Sequence, residues 1–464
     1  MTNQSAPEAK SGAHVDETNA PQGQPAAATA PASGRHLSPR GWVFPIAVVS
    51  LLAALLGTMY LGYTADPEKN LHDFPVALVN QDVGDTLDGQ PVNFGDQITA
   101  AMVEKVPADK IDLRPLGINE ARRQLQHGQV YGAIIIPGDF TKRMAILGAA
   151  AVVPGEVERP IITVNTNPRA GTYAASIMQR VTDRAMREVN ATVGTQLTER
   201  VEAQLRPPPG SETAAAALTG AARLQLAEPI NIDIAPYRPL PEGTGQGLSA
   251  FFYTLILLFA GFSGAMIIHS LVDSSLGYAP AEYGPYYRNS PPAPISRRRT
   301  LLLKWGVAVV TAPIVSAIFL GIATLLDMPV DHPLTLFLYG TLAVVAVAVT
   351  GLSVLAAFGT PGLVVNMVLF VVLGLPSSSG SIPIEATPRY IADLAAFEPM
   401  HQIYLAVRAI LFFDGHLEAG LSQGIWMTVL GLGIGLLFGA IATHTYDLRG
   451  LSRLGVPHRT VAES

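Results

Sequence analysis

The residues with the clearest chemical character lie in one short loop, residues 273–300, between two long apolar segments. Its candidate binding residues are Tyr278, Glu282, Tyr283, Tyr286, Tyr287, Arg288, Arg297, Arg298 and Arg299. Aromatic side chains and arginine are common anchors of protein interfaces, so this composition predicts a docking site for another protein. The alternative is that the tyrosines form an interfacial belt and the arginines only set membrane topology against anionic lipid.

Sequence motifs for bond-breaking chemistry are absent. The chain has no GxxxxGK[ST] phosphate loop, no GxSxG motif, no HExxH motif and no cysteine, and its histidines are dispersed. We therefore expect no catalytic residue, no cofactor, no metal site and no enzymatic activity. The formal net charge of -6 also gives no basic surface for nucleic acid.

The chain contains six apolar segments, and the loop lies between the second and the third. They are residues 42–63, 248–271, 301–326, 334–358, 362–375 and 421–443. A helix of roughly 20 residues crosses a hydrocarbon core of ~30 Å, and hydrophobic residues make up 49% of the chain. We predict a polytopic α-helical membrane protein with six transmembrane helices, one plus five, and an extracytoplasmic α/β domain between helices 1 and 2.

The N-terminal part of the chain differs sharply from the first apolar segment. Residues 1–34 are rich in Ala, Pro, Ser, Gln and Gly, and they should be disordered because burial of so few apolar groups cannot offset the entropy of ordering. A secretory signal peptide is the alternative for the first segment. A long polar leader precedes that segment, which also exceeds a typical ~7–15-residue apolar core, so we expect it to remain as an anchor.

Basic residues indicate the orientation, because Lys and Arg near short loops are retained in the cytoplasm. They precede the first segment, lie between the second and third, and follow the last. They are Arg35, Arg40, Arg288, Arg297, Arg298, Arg299, Lys304, Arg449, Arg453 and Arg459. The pattern predicts a multi-pass protein of the plasma (inner) membrane with both termini cytoplasmic and residues 64–246 extracytoplasmic.

The polar stretch between the first two segments alternates strand-like and helix-like patterns. Asn119 is placed to cap one predicted helix and Gly128 to end it. Residues 170–205 have an amphipathic pattern that predicts one helix or a helical hairpin, stopped by the prolines at 207–209. The other predicted elements are strands at 74–80, 111–116, 131–137 and 161–164, helices at 98–106 and 118–127, and an extended return to the membrane at 230–237.

Few ionisable residues lie inside the apolar segments. His269 and Asp273 lie near one end of the second segment, where side chains can reach water, so we interpret them as solvated interfacial residues. The apolar, proline-punctuated stretch after the fifth segment is predicted to form short interfacial or re-entrant helices, with Glu398 and Arg408 at the outer surface. An ordinary exposed loop is the alternative for this stretch.

Two motifs in the polar stretch resemble a known family. PVALVNQDVGD at 75–85 and NEARRQLQHGQVYGAIIIPGDFTKRM at 119–144 are similar to the extracellular domain of the type-2 ABC exporter permeases (ABC-2), in particular the YhgE/Pip-like branch. The segments at 294–305 and 383–415 also resemble this family, so the resemblance covers nearly all of residues 42–446. The matching motif residues are Val79, Asn80, Asp82, Gly84, Glu120, Ala121, Leu125, Gly128, Gly132, Ile136, Pro137, Asp139 and Phe140.

The resemblance implies a bacterial permease subunit that exports an amphiphilic or lipid-like substrate and is powered by a separate ATPase subunit. In this family the loop between the second and third spans rests on the ATPase, so residues 278–299 become the candidate coupling loop. Such permeases work as pairs, which implies a homodimer among membrane lipids. Small residues that suit either its interface or packing within one bundle are Gly261, Gly264, Gly431, Gly433 and Gly435. The candidate conduit residues are Phe251, Phe252, Phe259, Asn366 and Met367.

These predictions divide the chain into five parts. They are a disordered cytoplasmic tail (1–40), transmembrane helix 1 (41–63), the extracytoplasmic α/β domain (64–246), an ABC-2-like five-helix membrane domain (247–446) and a cytoplasmic tail (447–464). Two other functions stay open. A non-transporting scaffold or receptor with an envelope-facing binding domain also fits the lack of an ATPase motif, whereas a membrane-embedded enzyme would need an acid–base or metal cluster.

Overall fold

The computed structural model describes residues 39–87, 89–151, 157–205, 218–451 and 453. Nearly all of the predicted N-terminal tail, the prolines at 207–209 and most of the predicted C-terminal tail lie outside these residues. The chain divides into two compact units, Met1–Leu51 and Leu52–Ser464. The described part of the first unit is the beginning of helix α1 (Pro39–Thr64), and the second unit holds the other described elements.

A five-stranded mixed sheet forms the centre of residues 65–247, which we call the α/β region. The strands of this region are β1 (Phe74–Asn80), β2 (Asp85–Leu87), β3 (Gln90–Val92), β4 (Ile111–Pro115), β5 (Gly132–Ile136), β6 (Ile161–Thr166) and β7 (Asn231–Pro236). Strands β2 and β3 form a separate two-stranded ribbon, and the other five form the sheet. The order is β4-β1-β5-β6-β7, with β5 and β6 antiparallel and the other neighbours parallel. The predicted mixture of strands and helices is confirmed.

Helices cover both faces of this sheet. They are α2 (Phe94–Lys105), α3 (Ile118–Gln126), α4 (Phe140–Ala150), α5 (Thr172–Gln204) and α6 (Gly220–Ala227). Successive side chains of a strand point to opposite faces, and β1 shows this directly. Ala77 and Val79 pack with α3, whereas Val76 and Leu78 belong to the core shared with α2, α4 and α5. Residues 172–204 are one helix rather than a hairpin.

The ends of α3 show where the local sequence signals succeeded and failed. Gly128 follows the helix with a φ of +64°, a left-handed conformation that favours glycine, so the predicted stop is confirmed. The N-cap is Gly117, and Asn119 lies inside the helix, so the predicted Asn119 cap was wrong. Strand β4 ends at Pro115, and the short connection starts the helix before Asn119 is reached.

Asp82 of the first motif connects the sheet to two helices. This carboxylate is 8% exposed and accepts hydrogen bonds from the backbone nitrogens of Gly95 at 2.9 Å and Thr141 at 3.1 Å. Those nitrogens belong to the first turns of α2 and α4, where backbone N–H groups have no partner within the helix. The motif residue Asp82 therefore has a structural role, because it fixes both helix starts beside β1.

Five helices in the described part of the chain are long and apolar enough to cross a membrane, which is the pattern of a multi-pass membrane protein. They are Trp42–Thr64 within α1, α7 (Leu248–Ser275), α8 (Arg297–Leu325), α9 (Pro333–Phe358) and the last helix (Leu421–Leu448). Helix α9 is central, since it packs against α7, α8 and the last helix, which are the other long apolar helices after the α/β region. On α8, Val310, Ile314 and Ile318 are four residues apart and more than half exposed, which gives an apolar face suited to lipid.

The predicted fifth span is shorter and irregular. Helix α10 (Pro361–Met367), a π-helical turn (Val368–Val372) and α11 (Gly374–Ser377) together cover Pro361–Ser377. At ~1.5 Å per residue this composite helix is about 25 Å long, which is short of a hydrocarbon core of ~30 Å. Within the described residues, the structure therefore gives five helices that are long enough to cross a membrane and one shorter apolar helix.

The stretch after this short helix folds into α12 (Arg389–Ala395) and α13 (Pro399–Phe412) before the last helix, α14 (Leu421–Leu448). Predicted surface residues Glu398 and Arg408 are only 3% and 6% exposed, so that prediction was wrong. Arg408 donates from Nη1 to the carbonyl of Ala170 in the α/β region at 3.0 Å. The α/β region therefore contacts α13 at Arg408, whereas Glu398 lies at the start of α13, where its carboxylate accepts a hydrogen bond from the backbone nitrogen of His401 at 3.1 Å.

Candidate functional site

An antiparallel hairpin lies inside the predicted coupling loop. Strands β8 (Ala281–Tyr283) and β9 (Tyr286–Arg288) pair with a two-residue turn between them. Gly284 opens the turn with a φ of +60°, which a glycine adopts without steric cost. We call residues 276–296 the hairpin loop, and the end of the membrane helices that carries it the hairpin end.

Three tyrosines on this hairpin are exposed. Tyr283, Tyr286 and Tyr287 are 67%, 77% and 67% exposed, and Glu282 and Arg288 are exposed beside them. Tyr283 and Tyr286 face each other across the two strands. Large aromatic rings in water are unfavourable unless a partner covers them. The structure thus places five of the nine predicted loop residues on one short exposed hairpin.

Tyr278 differs from the other tyrosines because it closes the base of the hairpin loop. Its hydroxyl donates to the carbonyl of Ala293 at 2.8 Å and lies 3.1 Å from that of Ile295. The guanidinium of Arg453 lies over the ring, 5.0 Å from its centroid. Tyr278 is therefore a structural residue of the loop and is not part of its exposed surface.

The other end of the hairpin loop is fixed at the start of α8. Asp447 of α14 accepts hydrogen bonds from the backbone nitrogens of Arg297 at 2.9 Å and Arg298 at 3.1 Å, which places a carboxylate at a helix N-terminus. The Arg297 guanidinium packs over Tyr446 of α14 at 5.3 Å. The side chains of Arg298 and Arg299 are exposed, so only these two of the three arginines are free to meet a partner.

A buried ionic network links the same helices below the loop. Asp273 of α7 is 6% exposed, and it contacts Lys304 Nζ at 2.6 Å, Arg453 Nη1 at 2.7 Å and His269 Nε2 at 3.3 Å. Lys304 Nζ also lies 3.1 Å from His269 Nδ1, so a neutral imidazole can accept from the lysine and donate to the carboxylate. We call Asp273, His269, Lys304 and Arg453 the Asp273 network.

The prediction that Asp273 is a solvated interfacial residue was wrong. Lys304 follows three arginines in the sequence and resembles a topology residue, but the first turns of α8 carry it against α7, where it is 2% exposed. One feature of the sequence could have indicated the network. His269 and Asp273 are four residues apart, so they lie on one face of a helix, where a lysine of a neighbouring helix can pair with the carboxylate. The network was missed because contacts between helices are not visible in a single segment.

The predicted conduit residues of α7 do not form one surface. Phe251 is 6% exposed and packs so closely against Gly380 that a Cβ there would lie 2.1 Å from its ring. Phe252 is 54% exposed and stands edge-on to Phe251, with ring centroids 5.2 Å apart. Phe259, two helical turns further on, is 37% exposed on the same outward side.

The other conduit candidates, Asn366 and Met367, lie at the end of α10 beside the π-helical turn. Asn366 is fully buried, and its Nδ2 donates to the carbonyl of Gly351 in α9 at 3.0 Å. Its Oδ1 is buried with no hydrogen-bond partner among the described residues. Met367 is half-buried. No hydrogen bond or ring contact in the described part of the chain joins this pair to the phenylalanines of α7.

The opposite end of the membrane helices meets the α/β region in a polar and aromatic contact, which we call the junction. The Arg169 guanidinium donates to the carbonyl of Phe412 at 3.0 Å, and Arg238 pairs with Asp414 at 3.1 Å. Phe413 lies against Gly128, where a Cβ would be 2.7 Å from its ring. The junction joins α13 to three separate parts of the α/β region.

Tyr131 and Glu385 form a partly buried polar pair at the junction. The Tyr131 hydroxyl, on a side chain only 6% exposed, donates to Glu385 Oε2 at 2.8 Å. Burial raises the pKa of Glu385 above its ordinary value, and burial together with this carboxylate raises the pKa of Tyr131. Both shifts favour the protonated forms, so a carboxyl proton is retained here more strongly than in water.

Metal binding finds no support in the residues that the structure covers. Within those residues, no three His, Asp or Glu side chains come together in a group that could hold a metal ion. The Asp273 network already contains two cationic side chains around one carboxylate. Its chemistry is therefore that of a structural ion cluster.

Comparisons with known proteins match the chain to one family model and to one curated relative. A family model described as "Protein of unknown function (DUF3533)" matches residues 45–434. The "Uncharacterized protein YhgE" of Bacillus subtilis (strain 168) is 23% identical over 157 residues, which are 34% of this chain and 19% of that protein. The chain thus matches about a fifth of the relative's length. No solved structure matches the chain. These matches agree with the YhgE/Pip-like resemblance, whereas membership of ABC-2 stays a prediction.

Proposed function

We propose a function from one premise, which is that this chain belongs to the DUF3533 family. We infer that it is an ABC-2-like permease subunit that exports an amphiphilic or lipid-like substrate across the plasma membrane. A separate ATPase subunit supplies the energy. The observation that carries this proposal is the hairpin loop, whose exposed tyrosines Tyr283, Tyr286 and Tyr287 sit on a base tied by buried contacts to the membrane helices.

The Asp273 network explains how a partner on the hairpin loop would act on the membrane helices. Asp273 belongs to α7, Lys304 to α8, and Arg453 follows α14. Breaking a buried ion pair costs about 3–5 kcal/mol, so these three elements move together when the loop is pushed. A displacement of the loop by an ATPase is thus transmitted to α7 and α8 rather than absorbed locally.

The proposed topology places the hairpin loop in the cytoplasm and the α/β region outside the cell. The distribution of Lys and Arg supports it, because the hairpin end carries Arg288, Arg298 and Arg299. In this topology Pro361–Ser377 is the fifth of six spans, and a bilayer accommodates a short apolar helix by local thinning. Six crossings return both termini to the cytoplasm.

The proposed pathway runs between α7 and the short helix Pro361–Ser377. The unpartnered Asn366 Oδ1 beside a π-helical turn supports it, since such turns are frequent at functional sites. Homodimerisation is also proposed. Gly435 packs on Thr350 within the chain, whereas nothing lies within 4 Å of a Cβ built on Gly431 or Gly433, so these two glycines leave a close approach open to a second copy.

Affinity purification of the tagged full chain in mild detergent tests this proposal, with mass spectrometry of bound proteins and an ATPase assay on the eluate. We expect an ATPase subunit in near-equal amount, and its loss in the triple variant Tyr283→Ala, Tyr286→Ala, Tyr287→Ala. The matched control is Phe397→Ala, which removes an aromatic ring that is 81% exposed outside the hairpin loop. An eluate with no ATPase in the wild type would favour the scaffold or receptor function instead.

A further inference from the structure

A narrow groove in the α/β region lies outside every site described above. It has a volume of about 340 Å³ and runs between α2 and α5. Buried apolar side chains form its floor: Leu71, Ile98, Met102, Ile111, Val189 and Val193. Ligand sites in proteins are concave, mostly apolar and ~300–1,000 Å³ in volume, and the groove has these properties.

The shape of the groove indicates what fits in it. Its α5 wall runs from Val181 to Gln196, which at ~1.5 Å per residue is about 22 Å. One leaflet of a bilayer is about 15 Å thick, half of a ~30 Å hydrocarbon core, so the groove is long enough to hold an acyl chain of that length. A volume of about 340 Å³ over this length leaves room for one chain and excludes a bulky ring system.

The charges on the rim indicate the headgroup. Both carboxylates are paired, Glu188 with Lys105 at 2.9 Å and Glu68 with Arg180 at 2.6 Å. The lining residues Lys110 and Arg184 form no hydrogen bond or ion pair through their side chains with any described residue. Two cations without partners beside an apolar floor favour a ligand that is anionic at one end.

The groove also begins close to the membrane. Glu68 and Leu71 line it, and they follow directly after the end of α1 at Thr64. Helix α5 starts two residues after Ala170, which accepts a hydrogen bond from Arg408 of α13 in the junction. The lining of the groove thus starts near the membrane helices and continues along α5 away from them.

We propose that this groove binds a single-chain amphiphile with an anionic headgroup, the chain lying between α2 and α5 and the headgroup contacting Lys110 and Arg184. The inference deepens the proposed function, because it names the class of substrate that the α/β region receives. Binding itself requires neither an ATPase subunit nor transport. The two proposals can therefore fail separately.

Photo-crosslinking of the full chain in lipid nanodiscs tests the groove. The probe is palmitate with a diazirine near its chain end and an alkyne for detection, and crosslinked peptides are mapped by mass spectrometry. We expect saturable labelling of α2 and of residues 181–196 of α5, and competition by unlabelled palmitate. Lysophosphatidylglycerol competes if a phosphate headgroup is also accepted, while palmityl alcohol, which has no charge, competes at least tenfold less well.

Two variants separate the chain site from the headgroup site. Ala185→Phe fills the groove, and Lys110→Glu with Arg184→Glu reverses the rim charges; each should reduce labelling at least tenfold. Matched controls on α5 are Ala191→Phe and Arg187→Glu, which change exposed residues outside the lining and should label as the wild type does. Labelling spread over the α/β region, equal competition by the alcohol, or normal labelling of the Ala185→Phe variant would overturn the proposal. Labelling as expected without any copurified ATPase would support the groove and count against the permease function.

Discussion

The hairpin end and the junction use similar residues in opposite ways. At the hairpin end, three tyrosines are exposed and the ionic groups beneath them are buried. At the junction, Tyr131 and Phe413 are buried, while the ion pair Arg238–Asp414 lies at the margin with both side chains about 40% exposed. The contrast lies in what covers the aromatic rings, since the α/β region already occupies the junction and nothing in the described chain occupies the hairpin.

This difference indicates which end meets a separate molecule. At the junction the aromatic rings are already buried by other parts of the chain, so they need no partner. Exposed rings on a rigid base lose unfavourable contact with water when a partner binds. Each of the following substitutions removes contacts at only one of the two ends.

The largest effect is expected from Asp273→Ala. It leaves Lys304, which is 2% exposed, without a carboxylate, and an uncompensated buried charge costs about 3–5 kcal/mol of unfolding free energy. Thermal unfolding of the detergent-purified protein measures this loss. The double variant Asp273→Asn with Lys304→Met removes both buried charges and should recover most of it. A double variant as unstable as Asp273→Ala would show that the side-chain shapes matter more than the charges.

At the junction, Gly128→Ala is expected to cost about 2–5 kcal/mol of unfolding free energy. Alanine at a φ of +64° is strained by about 1–2 kcal/mol, and its Cβ would lie 2.7 Å from the Phe413 ring, which adds an overpacking cost of about 1–3 kcal/mol. Gly415→Ala is the matched control, because its φ is +66° and its nearest neighbour lies at 3.8 Å. Thermal unfolding of the two variants side by side isolates the contact with Phe413, and equal losses would mean that this contact is unimportant.

The sequence predicted the elements of both ends much better than the contacts between them. Period-two and period-3.6 patterns located the strands and helices because they depend on nearest neighbours along the chain. Asp82 was noticed as part of a motif, yet its role in fixing α2 and α4 appears only when Gly95 and Thr141 come together in space.

Two of the errors share one physical cause. Arg408 and Asp273 are charged, and charged residues are almost never fully buried unless they are paired. Each was placed in water because a partner is remote in the sequence: Arg408 meets Ala170, and Asp273 meets Arg453. Glu398 differs, because its buried carboxylate caps the first turn of its own helix at His401. The exposed tyrosines of the hairpin loop, by contrast, depend on no remote partner, and the sequence alone located them.

A pH-dependent difference is expected from Glu385→Gln at the junction. Because burial raises the folded-state pKa of Glu385, the folded protein holds this proton more tightly than the unfolded chain does. That contribution to stability is complete at acidic pH and is lost as the pH rises through the folded-state pKa. Glutamine does not titrate, and its Oε1 can still accept from Tyr131. The variant should therefore gain thermal stability relative to the wild type as the pH rises from about 4 upward, and a difference that is constant across this range would contradict the assignment.

The smallest effect on stability is expected from removal of the exposed tyrosines. This result would distinguish the hairpin end, where the rings are free, from the junction, where the rings are buried. Tyr283→Ala, Tyr286→Ala and Tyr287→Ala together should change the unfolding free energy by less than about 1 kcal/mol, since exposed side chains and one cross-strand pair contribute little. Tyr278→Ala is the matched control in the same loop, and it should cost more because it removes the hydrogen bond to Ala293 and the ring beneath Arg453. Thermal unfolding and partner capture measured on the same preparations distinguish recognition from structure. If the triple variant were as unstable as Tyr278→Ala, the exposed rings would be needed for folding. A failure of this variant to capture the partner protein would then not be evidence that the rings bind it.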